Sequence, residues 1–126
     1  MQRHFAVLSH RAVLALSGPD RTGFLQGLVS ADIERATAER ALWGALLTPQ
    51  GHFLYDFCLA VNGETLWLDC EAERRDAFRK RLARYKLRNK VDLTAPAPDP
   101  AVLAAFGEGA CEALGLPAEP GAARGF

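Results

Sequence analysis

Asn62-Gly63 lies between two β-prone runs, and Asn-Gly is the strongest short hairpin signal a sequence can carry. Upstream, Thr48-Pro49-Gln50-Gly51 is a second turn. Proline suits the second position of a type I turn, and glycine the left-handed residue after it. Two hairpins in series commit the middle of the chain to three strands, about Leu42 to Thr48, His52 to Val61 and Glu64 to Cys70. Antiparallel neighbours need only tight turns, whereas parallel strands need long crossovers. The chain's sheet is therefore expected to be antiparallel.

Elements on either side complete the architecture. "FAVLSHRAVLALSG" reads as two short strands around His10, and Gly18-Pro19-Asp20 stops the second. Asp20 suits a helix N-cap. Phe24, Leu25, Leu28, Val29 and Ile33 then keep helical spacing. Gly23 and Gly27 share a face of that helix, either to pack closely on the sheet or to let a ligand approach. "EAERRDAFRKRLARYKL" is a second helix with Phe78, Leu82 and Tyr85 as its apolar stripe. "KVDLTA" and "AVLAAF" read as strands and "GACEALGL" as a short helix. The order predicts an α+β fold of ferredoxin-like β-α-β-β-α-β type. Helices near 21–31 and 71–87 should cover one sheet face, with Phe24, Leu28, Phe78 and Leu82 against Phe57, Leu59 and Leu68. The length of 126 residues fits one domain, taken as 1–115, with the Pro/Gly/Ala-rich 116–126 as a linker or tail.

A two-residue Asn-Gly turn sets Val61 against Glu64 and, further out, Asp56 against Asp69. One face then carries Tyr55, Phe57, Leu59, Leu66, Leu68 and Cys70, a core face. The other carries His52, Leu54, Asp56, Cys58, Thr65, Trp67 and Asp69, neither a solvent face nor a core. Opposed carboxylates repel. Such a pair is either solvated or arginine-paired near a rim, or forms a polar niche in a partly apolar pocket floored by Trp67. Because proline cannot take the positive φ of a primed two-residue turn, a three-residue loop at Pro49–Gly51 is expected, and it places Gly44 opposite Asp56. A register shifted by one places Trp43 there, and a bulge would reconcile the two.

Nine of the 15 basic residues fall between Arg74 and Lys90, among them Arg79, Arg84, Arg88 and Lys90. This is either a solvated helix face or a contact for a polyanion. It lacks the aromatic interleaving of a nucleic-acid platform, so nucleic acid is not the expected partner. The 15 acidic residues cancel the charge overall. Three histidines far apart make no metal site. No stretch is apolar enough to span a membrane. Three cysteines without a CxxC fit a reducing cytoplasm better than a disulfide framework.

In order, "LSGPDRTGFLQGLVSADI", "LLTPQGHFLYDF", "LDCEAERRDAFRKRLARYKLRNKVDL" and "VLAAFG" resemble the N-terminal part of the YgfZ-type folate-binding proteins. These are relatives of the glycine cleavage T-protein, an aminomethyltransferase. "FLQG" and "YKLRNKV" favour the YgfZ branch. The resemblance implies a bacterial cytoplasmic accessory protein that binds tetrahydrofolate and supports iron–sulfur cluster assembly or repair. Folate, iron–sulfur enzymes and assembly proteins are then the expected partners. It also implies a folate site at Trp43 and Asp56, with Asp56 at the position of the T-protein aspartate that assists one-carbon transfer, and the sheet-face reading adds Trp67 and Asp69 to that site. Two departures count against T-protein chemistry: Ala60 replaces a tyrosine, and Tyr55 precedes Asp56 where T-protein has paired acids. The family's Lys-Gly-Cys-(aromatic)-x-Gly-Gln-Glu signature does not occur in these residues, so Cys58, Cys70 and Cys111 do not inherit its role. The alternatives are a T-protein-type aminomethyltransferase and a non-catalytic module that dimerises or binds a partner.

Overall fold

A computed structural model describes residues 2–125. Its main sheet has five antiparallel strands in the order β3-β4-β5-β2-β6, formed by β2 (Arg11–Ser17), β3 (Leu42–Leu47), β4 (Phe53–Asn62), β5 (Thr65–Glu71) and β6 (Asp92–Thr94). The helices α1 (Arg21–Gln26) and α2 (Arg75–Ala83) supply Phe24, Leu25, Phe78 and Leu82 to the same core as Phe57, Leu59, Leu66 and Leu68. Both helices thus cover one face, as their apolar spacing requires, and Leu28 packs at the margin of that core. No helix among the described residues is long and apolar enough to cross a membrane.

The last expected strand does form, but elsewhere. β1 (Arg3–Val7) and β7 (Leu103–Gly107) pair with each other in a separate two-stranded ribbon, followed by the short α3 (Ala110–Ala113). The segment after α3 folds back on the main body. Gly121 O accepts from Ala41 N at 2.7 Å, and Ala123 N donates to Glu39 O at 2.8 Å.

Both hairpins form, and both registers differ from expectation. In the second, Asn62 pairs with Thr65 and Gly63 takes φ +60° as the first loop residue. Gly63-Glu64, not Asn62-Gly63, is the two-residue loop, as in a type II′ turn with glycine leading. The register moves by two residues, so each side chain keeps its predicted face, yet Asp69 now opposes Cys58. In the first hairpin the three-residue loop is present, with Thr48 N donating to His52 O at 2.7 Å and Gly51 at φ +85°. A register shift between Leu46 and Leu47 sets Ala45, not Gly44, opposite Asp56, and Trp43 opposite Cys58.

Asp20 precedes α1 without capping it. Its carboxylate accepts from Lys90 N at 2.7 Å instead. The Gly18 turn lies so close to Lys90 that a Cβ would meet Lys90 O. Gly23 and Gly27 do not pack on the sheet: Gly23 has nothing within 4 Å of a built Cβ, and Gly27 meets only carbonyls of its own helix, at 3.9 Å. Gly44 is the glycine that close packing requires. Its Cβ would stand 2.9 Å from Ala31 Cβ and 3.2 Å from Phe57 Cζ.

Candidate functional site

Directly paired residues of adjacent strands share a sheet face. On the face away from the helices, Trp43, Cys58, Asp69 and Val13 form one rung across β3, β4, β5 and β2. Ala45 and Asp56 begin the next rung. Arg11, two residues before Val13 on the same face of β2, bends to Asp69. Its Nε donates to Asp69 Oδ1 at 2.9 Å and its Nη2 to Asp69 O at 2.8 Å. Both side chains are largely buried, at 18% and 29% exposed.

The two acids therefore have different partners. Asp69 is held by an arginine. Asp56 is half-buried and makes no hydrogen bond or ion pair among the described residues. Burial alone would lower the affinity of the Arg11 guanidinium for its proton. The hydrogen bond and charge of Asp69, with the charges of Asp56 and Cys58, outweigh burial and raise it. The Cys58 thiol is pushed up, first by burial and then by Asp69, with Arg11 opposing.

Trp43 is 64% exposed and diagonal to Asp56. Trp67 is half-buried and pairs with Ala60, four residues beyond Asp56. At the strand rise it lies roughly 13 Å further along the sheet. It does not floor a niche at Asp56. The hollow beside Asp56 is lined by Tyr55, Cys70, Glu71, Arg74 and Phe78 and has room for about one water. Sequence reasoning missed Arg74, whose guanidinium lies 4.1 Å from the Tyr55 ring centroid, and Arg11. Arg11 lies opposite Glu71 on the strand next to β5, so only the order of strands brings it to Asp69.

The basic residues divide. Arg79 is bound to Asp76 at 2.7 Å, and this bond, with a second from Lys80, holds the Asp76 carboxyl below its ordinary range. Arg84, Arg88 and Lys90 are exposed, and their side chains have no ion pair among the described residues. No three His, Cys, Asp or Glu among the described residues stand close enough to hold a metal ion.

The chain, an antiparallel sheet with two helices on one face, has a fold of the T-protein class. It superposes on the glycine cleavage system aminomethyltransferase T of Bartonella henselae with a TM-score of 0.71 at 20% identity, over 91% of this chain and 32% of that one. By sequence its relatives are mitochondrial iron–sulfur cluster assembly factors. It is 32% identical to IBA57 of Homo sapiens over 92% of this chain and 36% of the relative. It is 33% identical to the IBA57 homologue of Aspergillus oryzae over 75% of this chain and 24% of the relative. For the Chaetomium globosum homologue the identity is 29%, over 70% of this chain and 24% of the relative. The chain thus spans about a quarter to a third of the length of these curated relatives. No family model matches it.

These relatives correct the expectation of a bacterial cytoplasmic protein, because they are named as mitochondrial proteins of fungi and human. Cysteines without a disulfide do not tell one reducing compartment from another.

Proposed function

We propose that this chain serves iron–sulfur cluster assembly as part of a tetrahydrofolate-binding accessory protein, with Asp56 as the acceptor for the pterin. The observation that carries this is the asymmetry of the two acids. Arg11 occupies Asp69, which leaves Asp56 as a half-buried carboxylate without a hydrogen-bond or ion-pair partner among the described residues. Such a group needs donors, and a pterin edge offers ring N–H and amino donors in a row. Trp43, diagonal to Asp56, offers an aromatic surface beside it. Asp69 and Trp67 belong to the margin of this site, Asp69 as the partner of Arg11 and Trp67 as apolar surface further along the sheet.

The names of the relatives support the assembly role, and the fold of an aminomethyltransferase supports the folate. Transfer chemistry is the weaker reading, because Ala60 and Tyr55 stand where T-protein carries a tyrosine and a second acid.

Calorimetry with tetrahydrofolate on the intact protein tests this. Asp56→Ala is expected to weaken binding by about 1.5–3 kcal/mol, the scale of a hydrogen bond to a charged group. Asp69→Ala should weaken it less. Equal affinity of wild type and Asp56→Ala would remove Asp56 from the site.

A further inference from the structure

Leu87 is 87% exposed, and it takes φ +42°, the one positive φ outside glycine among the described residues. A branched side chain in the left-handed region is strained. An exposed leucine gains nothing from burial to offset that strain. The conformation is nonetheless firmly built. Upstream, Tyr85 N donates to Leu82 O at 3.0 Å, and Leu82 is fully buried. Downstream, Asn89 returns both its backbone N and its Nδ2 to Lys86 O, at 2.7 and 3.1 Å. Lys90 N is then tied to Asp20, and Val91 is buried. The loop 84–90 is thus a rigid turn that presents one leucine at its tip.

Charge surrounds that tip. Arg84, Arg88 and Lys90 are exposed with no side-chain ion pair among the described residues, and Lys86 reaches Asp92 only at 3.8 Å. The C-terminal end of α2 favours nearby cations, which accounts for Arg84. It does not account for Arg88 and Lys90 beyond the helix, nor for the strained leucine just before them. Strain held in place by its surroundings marks positions where the conformation itself is used.

We propose that the loop 84–90 is a docking knob for an acidic protein surface, with Leu87 entering an apolar socket and Arg84, Arg88 and Lys90 meeting carboxylates around it. Charge complementarity selects this occupant. A lipid surface fits less well, because a single leucine buries too little to hold a protein there. RNA fits less well, because leucine has no π-face and Tyr85 is only 38% exposed. None of residues 84–90 lines the hollow beside Asp56, so the proposal stands whether or not folate binds there.

The test is binding of a synthetic peptide of repeated Glu-Glu-Leu triplets to this chain, followed by calorimetry, with anionic phosphatidylserine vesicles, polyuridylate and sedimentation of the chain alone as parallel arms. Binding to the peptide that weakens with salt is expected. It should fall at least about tenfold in Leu87→Gly and again in Arg84→Glu/Arg88→Glu. Leu87→Gly should melt no lower than wild type, since glycine accepts the left-handed conformation, and a purely structural leucine would lower the melting point. No binding to the peptide, or equal binding by wild type and both variants, overturns the proposal. Leu87-dependent binding to vesicles or RNA that exceeds binding to the peptide overturns it too. So does Leu87-dependent self-association.

Discussion

Cys70 and Cys58 stand on opposite faces of the sheet, and their surroundings set their chemistry. Burial pushes the Cys70 thiol up to about 11, because a thiolate would lose its water among Phe57, Leu68 and Phe78. A thiol held protonated by the fold stabilises it fully below the ordinary thiol range and loses that contribution as pH rises through the folded value. Between pH ~9 and ~11 the protein should therefore lose about 2–3 kcal/mol through this group. Urea unfolding at several pH values would show it, with a shallower slope for Cys70→Val. The Arg11–Asp69 pair makes a second residue-scale prediction. Removing one member strands a largely buried charge, so Arg11→Met should cost about 1–3 kcal/mol. Asp69→Asn in that background should recover part of the loss. Strictly additive losses in this cycle would show that the pair is not coupled.

At the scale of elements, glycines divide by what surrounds them. Gly23 lies in α1 with open space at its Cβ, so Gly23→Ala should stabilise by about 0.5–1 kcal/mol. Gly44 faces Ala31 and Phe57, so Gly44→Ala should destabilise by about 1–3 kcal/mol. Thermal melts of the two variants should move in opposite directions, and a shift in the same direction would show the packing around β3 to be misread. These pairs also show what was legible. Phe57, Leu59, Leu66 and Leu68 read correctly as core, because alternation survives a register error of two. The register itself was not legible. An Asn-Gly pair serves either primed turn, and only the backbone shows that Gly63 leads the loop. The bulge before Leu47 leaves no mark in composition, and it decides which residue faces Asp56.

Across the whole molecule, alternation placed Asp56 on the face away from the helices, whereas turn length set Gly44 against it and so put Trp43 on the other face. The family resemblance named Trp43, and the bulge brings it to the acid's side. Arg11 could not be placed there, since only the strand order β5-β2 brings it to Asp69. That face leaves Trp43 64% exposed, and soluble monomers keep such apolar surface small unless it meets a partner. Sedimentation across a concentration series should show association of the chain, reduced in Trp43→Glu. A chain monomeric at all concentrations would leave this face uninvolved. The outer side of β3 behaves differently. Ser30 meets Ala45 there through N to O at 3.0 Å, and Gly121–Ala123 bond to the residues just before the strand. Ser30 thus occupies an edge group of β3, and residues 121–123 occupy backbone groups just ahead of it, and such groups left open can recruit a strand from another molecule. The segment 119–123 is expected, in this light, to guard against fibril-like stacking. A chain cut after Leu116 should keep its helical signal and yet turn cloudy and bind thioflavin where the longer one stays clear.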